Sequence, residues 1–333
     1  MAEVINVLEL FSGVGGYHCA LNELSKDSVK YSFNVKAAVD INEAANTVYK
    51  HNFQNTPLIT KAIETVSEKF LRDLNTDLVV MSPPCQPFTR QGHKKDVDDQ
   101  RCNGLQSVIS YLERGILKPN WILLENVKGF DESEAFENYV KCLDFCGYQH
   151  RVEFLSPIDF GIPNARLRCY VLASKSSKRI QPLSSKMKFQ TLNDCSLGSY
   201  LLPTESVPEE YYLKNETALK YLPVMDVVAK DSTHCMCFTK SYGRYYEGTG
   251  SLVLESNSEI SQTSLTSTEL KKYVTSCNAK LRRFTESEVL QLHCYPSWFE
   301  FPDSITMKQR YKLLGNGLNV LVVKELLLHL FGS

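Results

Sequence analysis

The 333-residue chain has no dominant charge: 37 Lys and Arg stand against 38 Asp and Glu, a formal net charge of -1. That balance excludes a protein that holds a polyanion by bulk charge, so any nucleic-acid role must rest on a local basic surface. No Cys-x-x-Cys pair occurs among the 11 cysteines, and the N-terminus, MAEVINVLELFSG, lacks the basic and apolar regions of a secretory signal. An odd number of cysteines without such pairing predicts free thiols in a reducing compartment. No apolar run approaches the roughly 18 residues of a membrane span. The longest, NVLVVKELLLHLF, is interrupted by Lys324 and Glu325. A soluble, cytoplasmic protein is expected, with the nucleus as a second compartment and no membrane partner.

What is present is an alternation. Short β-branched runs (INVLEL, FNVKAAVD, DLVVMS, WILLENV, HRVEFLS, RCYVLAS) are interleaved with amphipathic stretches such as EAANTVYKHN, LQSVISYLERG and EAFENYVKCLDFC. This pattern predicts an α/β fold, doubly wound on a mostly parallel, buried sheet. After residue 175 the chain turns Ser- and Lys-rich, and periodicity stays weak to about 280. The length also exceeds one ordinary hydrophobic core. We therefore expect a large domain over 1–180, a smaller one over 181–300, and a segment 301–333 whose last helix returns to the large domain.

Residues able to do chemistry cluster at strand ends, where open α/β sheets place their sites. FSGVGG follows the first strand, and its Gly13, Gly15 and Gly16 permit a tight turn and close approach of a ligand to a helix N-terminus. Asp40 ends the second strand, where such folds present a carboxylate to a ribose; Glu64, before the third helix, is either a partner for an adenine amino group or a solvated surface residue. SPPCQPF sets Cys85 behind two stiff prolines, and LLENV ends a strand in Glu125 and Asn126. NARLR places Arg166 and Arg168 two apart, hence on one face of a strand. Glu125 either forms a salt bridge with one of these arginines or belongs to a reactive site. HCMC, with His234, Cys235 and Cys237, fits no standard zinc spacing, so no metal is expected. Thr285 and Glu288 have the spacing of a helix capping box.

LFSGVGG, SPPCQPF, ENV, the Arg-x-Arg of NARLR, and LLGNGLNV stand in the order of the motifs of the cytosine-5 methyltransferase family, which the chain resembles over nearly its whole length. The short length and the stretch CFTKSYGRYYEGTGS at 237 to 251 resemble its tRNA-methylating branch. That likeness implies a Rossmann-like S-adenosylmethionine-dependent methyltransferase with a target-recognition domain. The implied substrate is a cytosine of the tRNA anticodon loop, cytosine-38 of aspartate tRNA first, with DNA as a minor substrate and the enzyme a monomer. A DNA cytosine-5 methyltransferase, or an idle RNA-binding descendant, are the competing readings.

The resemblance assigns Cys85 as the nucleophile that adds to cytosine C6 through a covalent adduct, and Glu125 as the group that holds N3 and the exocyclic amine. Arg168 or Arg166 would supply the positive charge that favours the thiolate. It places Phe11, Gly13, Val14, Gly15, Gly16, Asp40, Ile41, Ile63, Glu64, Pro83 and Asn316 around S-adenosylmethionine, with Ile41 against the adenine. For the nucleic acid it leaves a local surface: Arg90, Lys94, Lys95 and Arg101 after the cysteine, and Lys240, Tyr242 and Arg244 in the later stretch, with Tyr245 and Tyr246 beside them. Two departures stand out. Asn164 replaces the usual Gln before Arg-x-Arg, as expected in the tRNA branch, and Gly317 stands where Ser is common after the final Gly-Asn.

Overall fold

Among the described residues, eight strands lie between residues 3 and 174: β1 Glu3–Leu10, β2 Tyr31–Val39, β3 Leu58–Ile59, β4 Leu78–Met81, β5 Trp121–Val127, β6 Gln149–Leu155, β7 Asn164–Ala165 and β8 Arg168–Ser174. All but β7 join one seven-stranded sheet in the order β3-β2-β1-β4-β5-β8-β6. The first five run parallel. Only β8 is reversed, antiparallel to both β5 and β6. The computed structural model describes residues 2–84, 103–177, 179–183, 195–256, 271–272, 274–276 and 279–332.

Helices α1 Gly16–Asp27, α2 Glu43–Asn52, α3 Glu68–Asp73, α4 Asn103–Glu113 and α5 Glu134–Phe145 cover the two faces. Side chains alternate across β1: Ile5 and Val7 join the core shared with α1 and α2, while Leu8 and Leu10 join the core under α4 and α5. The helices start where short polar side chains satisfy free backbone donors. Asn42 accepts from the Ala45 N–H at the head of α2, and Ser133 from the Phe136 N–H at the head of α5.

The later half adds a three-stranded sheet, ordered β12-β11-β9, from β9 Val227–Val228, β11 Leu252–Ser256 and β12 Ala279–Arg283. Strand β10, Cys235–Met236, leaves that sheet and pairs in parallel with β7. Helices α6 Asn215–Tyr221, α7 Glu286–Leu292, α8 Met307–Asn316 and α9 Val320–Gly332 complete the described chain. The capping box at α7 forms: the Glu288 N–H donates to the Thr285 hydroxyl at 3.2 Å, and the Thr285 N–H to Glu288 Oε2 at 2.7 Å. Arg282, fully buried on β12, bridges Glu255 at 2.6 Å and Glu288 at 2.8 Å, which pins α7 to the small sheet.

Within the stretch Met307–Gly332 an 18-residue window averages a hydropathy of 1.4, long and apolar enough by composition to cross a membrane. The stretch divides at residues 317–319 into α8 and α9. Val322, Val323, Leu326 and Leu327 of α9 are buried in the same core as Tyr17, Leu21 and Leu24 of α1. Its hydrophobicity is that of a core helix laid on the large sheet.

Candidate active site

The glycine turn between β1 and α1 is held from the side by Asp40. The Gly13 N–H donates to Asp40 Oδ2 at 2.7 Å, and the Asn42 N–H to Oδ1 at 2.7 Å, so one carboxylate ties the ends of β1 and β2 together. Burial pushes the Asp40 carboxyl up, and the N–H groups of Asn42, Gly13 and Ile41 oppose it. Phe11, Gly13 and Gly15 all take left-handed φ angles, 53°, 54° and 92°. That conformation costs Phe11 on the order of 1–2 kcal/mol, and it turns the ring onto Gly104 of α4, where a Cβ would approach it to 2.8 Å.

At this turn the Ser12 hydroxyl is buried without a partner among the described residues. Ile41 stands 69% exposed beside Asp40, a large apolar side chain left open next to a polar cradle. Val14, Gly16 and Ile63 are buried, whereas Glu64 and Asn316 are exposed.

Beneath the turn lies a chain of polar groups that the sequence did not single out. The Tyr49 hydroxyl is 2.9 Å from Glu9 Oε2 and 2.8 Å from His18 Nδ1. Glu9 is fully buried on β1, and desolvation raises its carboxyl to about 8 despite the Tyr49 hydrogen bond. Desolvation lowers His18 to about 4.

The second half of the site grows from β4 and β5. Their register sets Met81 beside Leu124, so the prolines after β4 meet Glu125 and Asn126 at the end of β5. Asn126 Nδ2 donates to the buried Pro83 carbonyl at 3.3 Å and anchors the backbone two residues before Cys85. Cys85, Arg90, Lys94, Lys95 and Arg101 lie outside the described residues.

Glu125 is 7% exposed, and Arg168 Nε sits 3.3 Å from its Oε1. The two arginines differ in what they hold. Arg168 pairs with Glu125 and reaches Cys237 Sγ at 3.7 Å. Arg166, 3% exposed, is consumed by a clamp: it donates to the carbonyls of Phe238 and Gly315, each at 3.4 Å, to Gly317 O, and to Cys237 Sγ at 3.3 Å. Of the two, Arg168 is the charge beside Glu125. Asn164 completes the junction by donating to the Met236 carbonyl at 3.1 Å. Gly315 makes the convergence possible, because a Cβ there would run into the backbone of Thr239 and Lys240.

The aromatic and basic stretch splits by orientation. Tyr242 is buried: its hydroxyl donates to Ser251 O at 2.8 Å and accepts from the Phe284 N–H at 2.9 Å, while its ring meets Phe238 and Tyr311 edge-on. The expectation that Tyr242 faces a nucleic acid is corrected here, since these partners fix it in the core of the small domain. Lys240 and Arg244 are exposed, and the Arg244 guanidinium lies 5.0 Å above the ring of Tyr245, itself 53% exposed. Tyr246 is half-buried against Tyr221 and Arg283.

The chain is 37% identical to the tRNA (cytosine(38)-C(5))-methyltransferase of Spodoptera frugiperda, with 98% of each covered. It is 32% identical to a DNA (cytosine-5)-methyltransferase of Dictyostelium discoideum, over 98% of this chain and 94% of that one. The crystal structure of the S. pombe Dnmt2 methyltransferase matches it with a TM-score of 0.85 at 32% identity, over 99% of both chains. Residues 5–331 match the C-5 cytosine-specific DNA methylases, in keeping with a glycine turn tied to an acidic strand end and a Glu–Arg pair beside it, and the chain belongs to that family.

Proposed function

We propose that the protein transfers a methyl group from S-adenosylmethionine to C5 of cytosine-38 in the anticodon loop of tRNA, aspartate tRNA first, through a covalent adduct of Cys85. The observation that carries the reading is the buried pair of Glu125 and Arg168, facing the anchored prolines that lead into Cys85. Cytosine C5 is a weak nucleophile until a thiolate adds to C6, and addition followed by elimination divides one hard step into two easier ones. Cys85 adds to C6, C5 takes the methyl group, and loss of the C5 proton to a base restores the C5–C6 double bond and expels the thiolate. Glu125, at the end of β5, holds the N3 and amino edge as charge develops on the ring, and Arg168 keeps its carboxylate in place.

S-adenosylmethionine fits the residues around the glycine turn and, when bound, supplies an electrophilic methyl group. The orphan Ser12 hydroxyl, the exposed Ile41 and the open space at Gly13, where a Cβ would meet nothing within 4 Å, suit a ligand with polar and aromatic parts. In this reading Asp40 accepts from a ribose hydroxyl and Ile41 lies against a purine.

Two considerations favour tRNA over duplex DNA. Loop bases are already partly unstacked, so drawing one out costs less than the few kcal/mol needed to flip a paired base. The net charge of -1 also suits a compact partner held by a local patch, such as Lys240, Arg244 and Tyr245, rather than tracking along a duplex. The test compares initial methylation rates on aspartate tRNA, its isolated anticodon stem-loop and a cytosine-containing duplex, with Cys85→Ala as control. Duplex turned over as fast as tRNA would sink the RNA assignment. An active Cys85→Ala protein would sink the covalent mechanism.

A further inference from the structure

Glu9 is fully buried on β1, two residues before Phe11 and against the head of α1. Gly15 at that head offers no side-chain cap, and the N–H groups of His18 and Tyr17 meet the Glu9 carboxyl instead. The chemistry described above gives this group no task. We propose that Glu9 is a specificity-determining residue for the methyl donor: when ionised it is a buried countercharge that favours the sulfonium of S-adenosylmethionine over the uncharged thioether of the demethylated product. The inference rests on the donor proposed above for the glycine turn.

The hydrogen bonds let this carboxyl change its charge in place. Tyr49 has one hydroxyl proton and two partners, Glu9 Oε2 at 2.9 Å and His18 Nδ1 at 2.8 Å. With Glu9 ionised, Tyr49 donates to the carboxylate and the His18 Nδ1–H donates to Tyr49. With Glu9 protonated, the carboxyl donates to Tyr49, and Tyr49 donates to a bare Nδ1. Both states satisfy both contacts, so the switch moves protons and no heavy atom. The His18 ring lies flat on Phe53, with centroids 3.9 Å apart and an interplanar angle of 8°. A Cβ at Gly15 would collide with that same Phe53 ring, so the chain of polar groups backs directly onto the glycine turn.

An ionised Glu9 finds no cation among the described groups that face it. These are Tyr17, His18 and Cys19 of α1, Asp40 at the end of β2, Tyr49 of α2 and Tyr295 after α7. Burial lowers His18 to about 4, so this ring is neutral at ordinary pH. Asp40 is a second acid, tied to the Gly13 N–H. Arg166 acts on Tyr295, but its guanidinium is taken up by the carbonyls of Phe238, Gly315 and Gly317. Burial, against the Tyr49 hydroxyl and the His18 and Tyr17 N–H groups, therefore pushes Glu9 up to about 8. A ligand with one more positive charge draws it back down, by roughly 10-fold in ionisation for a unit charge across partly polar protein. The donor carries that charge and the demethylated product does not. Donor binding thus releases the Glu9 proton to solvent, and loss of the sulfonium charge lets a proton return.

The experiment is a calorimetric titration of wild type and Glu9→Gln with S-adenosylmethionine and with the demethylated product, from pH 6 to 9. Because the donor favours the ionised form of a group that stands near 8, donor affinity rises with pH through this range. In wild type the preference for donor over product should grow roughly 10-fold beyond any change seen in Glu9→Gln, whose side chain cannot ionise. The ligands titrate alike against both proteins, so the difference between the two curves belongs to Glu9. Parallel curves overturn the proposal. Where the Gln variant does not fold, difference infrared spectra of wild type decide. At pH 7.5 donor binding should remove the band of a protonated buried carboxyl and product binding should leave it. Tyr49→Phe, which deletes a bond favouring the ionised form, should move that loss to higher pH. A band that the donor leaves unchanged overturns the proposal. Folded wild type that binds neither ligand would sink the donor reading itself, whereas binding of both with a preference independent of pH would sink this inference alone.

Discussion

Replacing Glu9 by Gln should change how stability depends on pH, and the sign follows from two groups that share one hydroxyl. Glu9 is raised from 4.5 to about 8 in the folded chain, so between those values the folded state keeps a proton that the unfolded state has lost. Over that window stability falls as pH rises. His18 is lowered from 6.5 to about 4, so between those values the unfolded state carries the extra proton and stability rises with pH. The two slopes oppose each other from about 4.5 to 6.5, and above 6.5 only that of Glu9 remains. At about 1.4 kcal/mol per pH unit for one proton, the wild type should lose roughly 2 kcal/mol between pH 6.5 and 8. Glu9→Gln keeps the shape and a hydrogen-bonding partner for Tyr49 but cannot titrate. Its stability should rise from pH 4 to 6.5 and then stay level. Urea unfolding at pH 5, 6.5 and 8, read by tryptophan fluorescence, checks both curves. A wild type whose stability does not fall above pH 6.5, or a Gln variant that falls with it, would refute the reasoning.

Three further outcomes follow from the packing. Glu125→Gln removes the charge paired with Arg168 and should slow single-turnover methylation by about 100-fold or more, while donor binding by calorimetry is retained. Arg282→Ala leaves Glu255 and Glu288 buried without their cation and should cost about 3–5 kcal/mol in a denaturant titration; a loss below 1 kcal/mol would mean that the triad is solvated. Gly315→Ala drives a methyl group into the backbone of Thr239 and Lys240 and should cost about 1–3 kcal/mol, with methyl transfer impaired more than donor binding. An alanine variant with wild-type melting and rate would show that the close approach is not needed.

The strands were legible because a buried sheet demands continuous β-branched and aliphatic runs, and WILLENV and RCYVLAS are such runs. Their direction was not, since an apolar run reads alike either way. β8 reverses because the chain turns back through residues 156–167 and sets Leu155 opposite Arg168. The same limit acts at the site. Arg166 and Arg168, two residues apart, look equivalent on a strand, but only Arg168 lies on β8 beside β5. Arg166 falls in the connection before it and turns to the carbonyls of Gly315 and Gly317. In KSYGRYY the residue types announce a basic aromatic surface, but which ring turns inward depends on Phe238 just before it and on Phe284 and Tyr311 from elsewhere in the chain. Cys237 was visible in HCMC, whose spacing fits no standard zinc site, and as the first residue of CFTKSYGRYY, and neither reading shows what its sulfur touches. The two arginines that contact this sulfur lie about seventy residues away, brought to it by β10 pairing with β7 and by a glycine that lets α8 touch the backbone at 239–240. Spacing along a chain encodes the periodicity of one element, whereas this site is made by the docking of four.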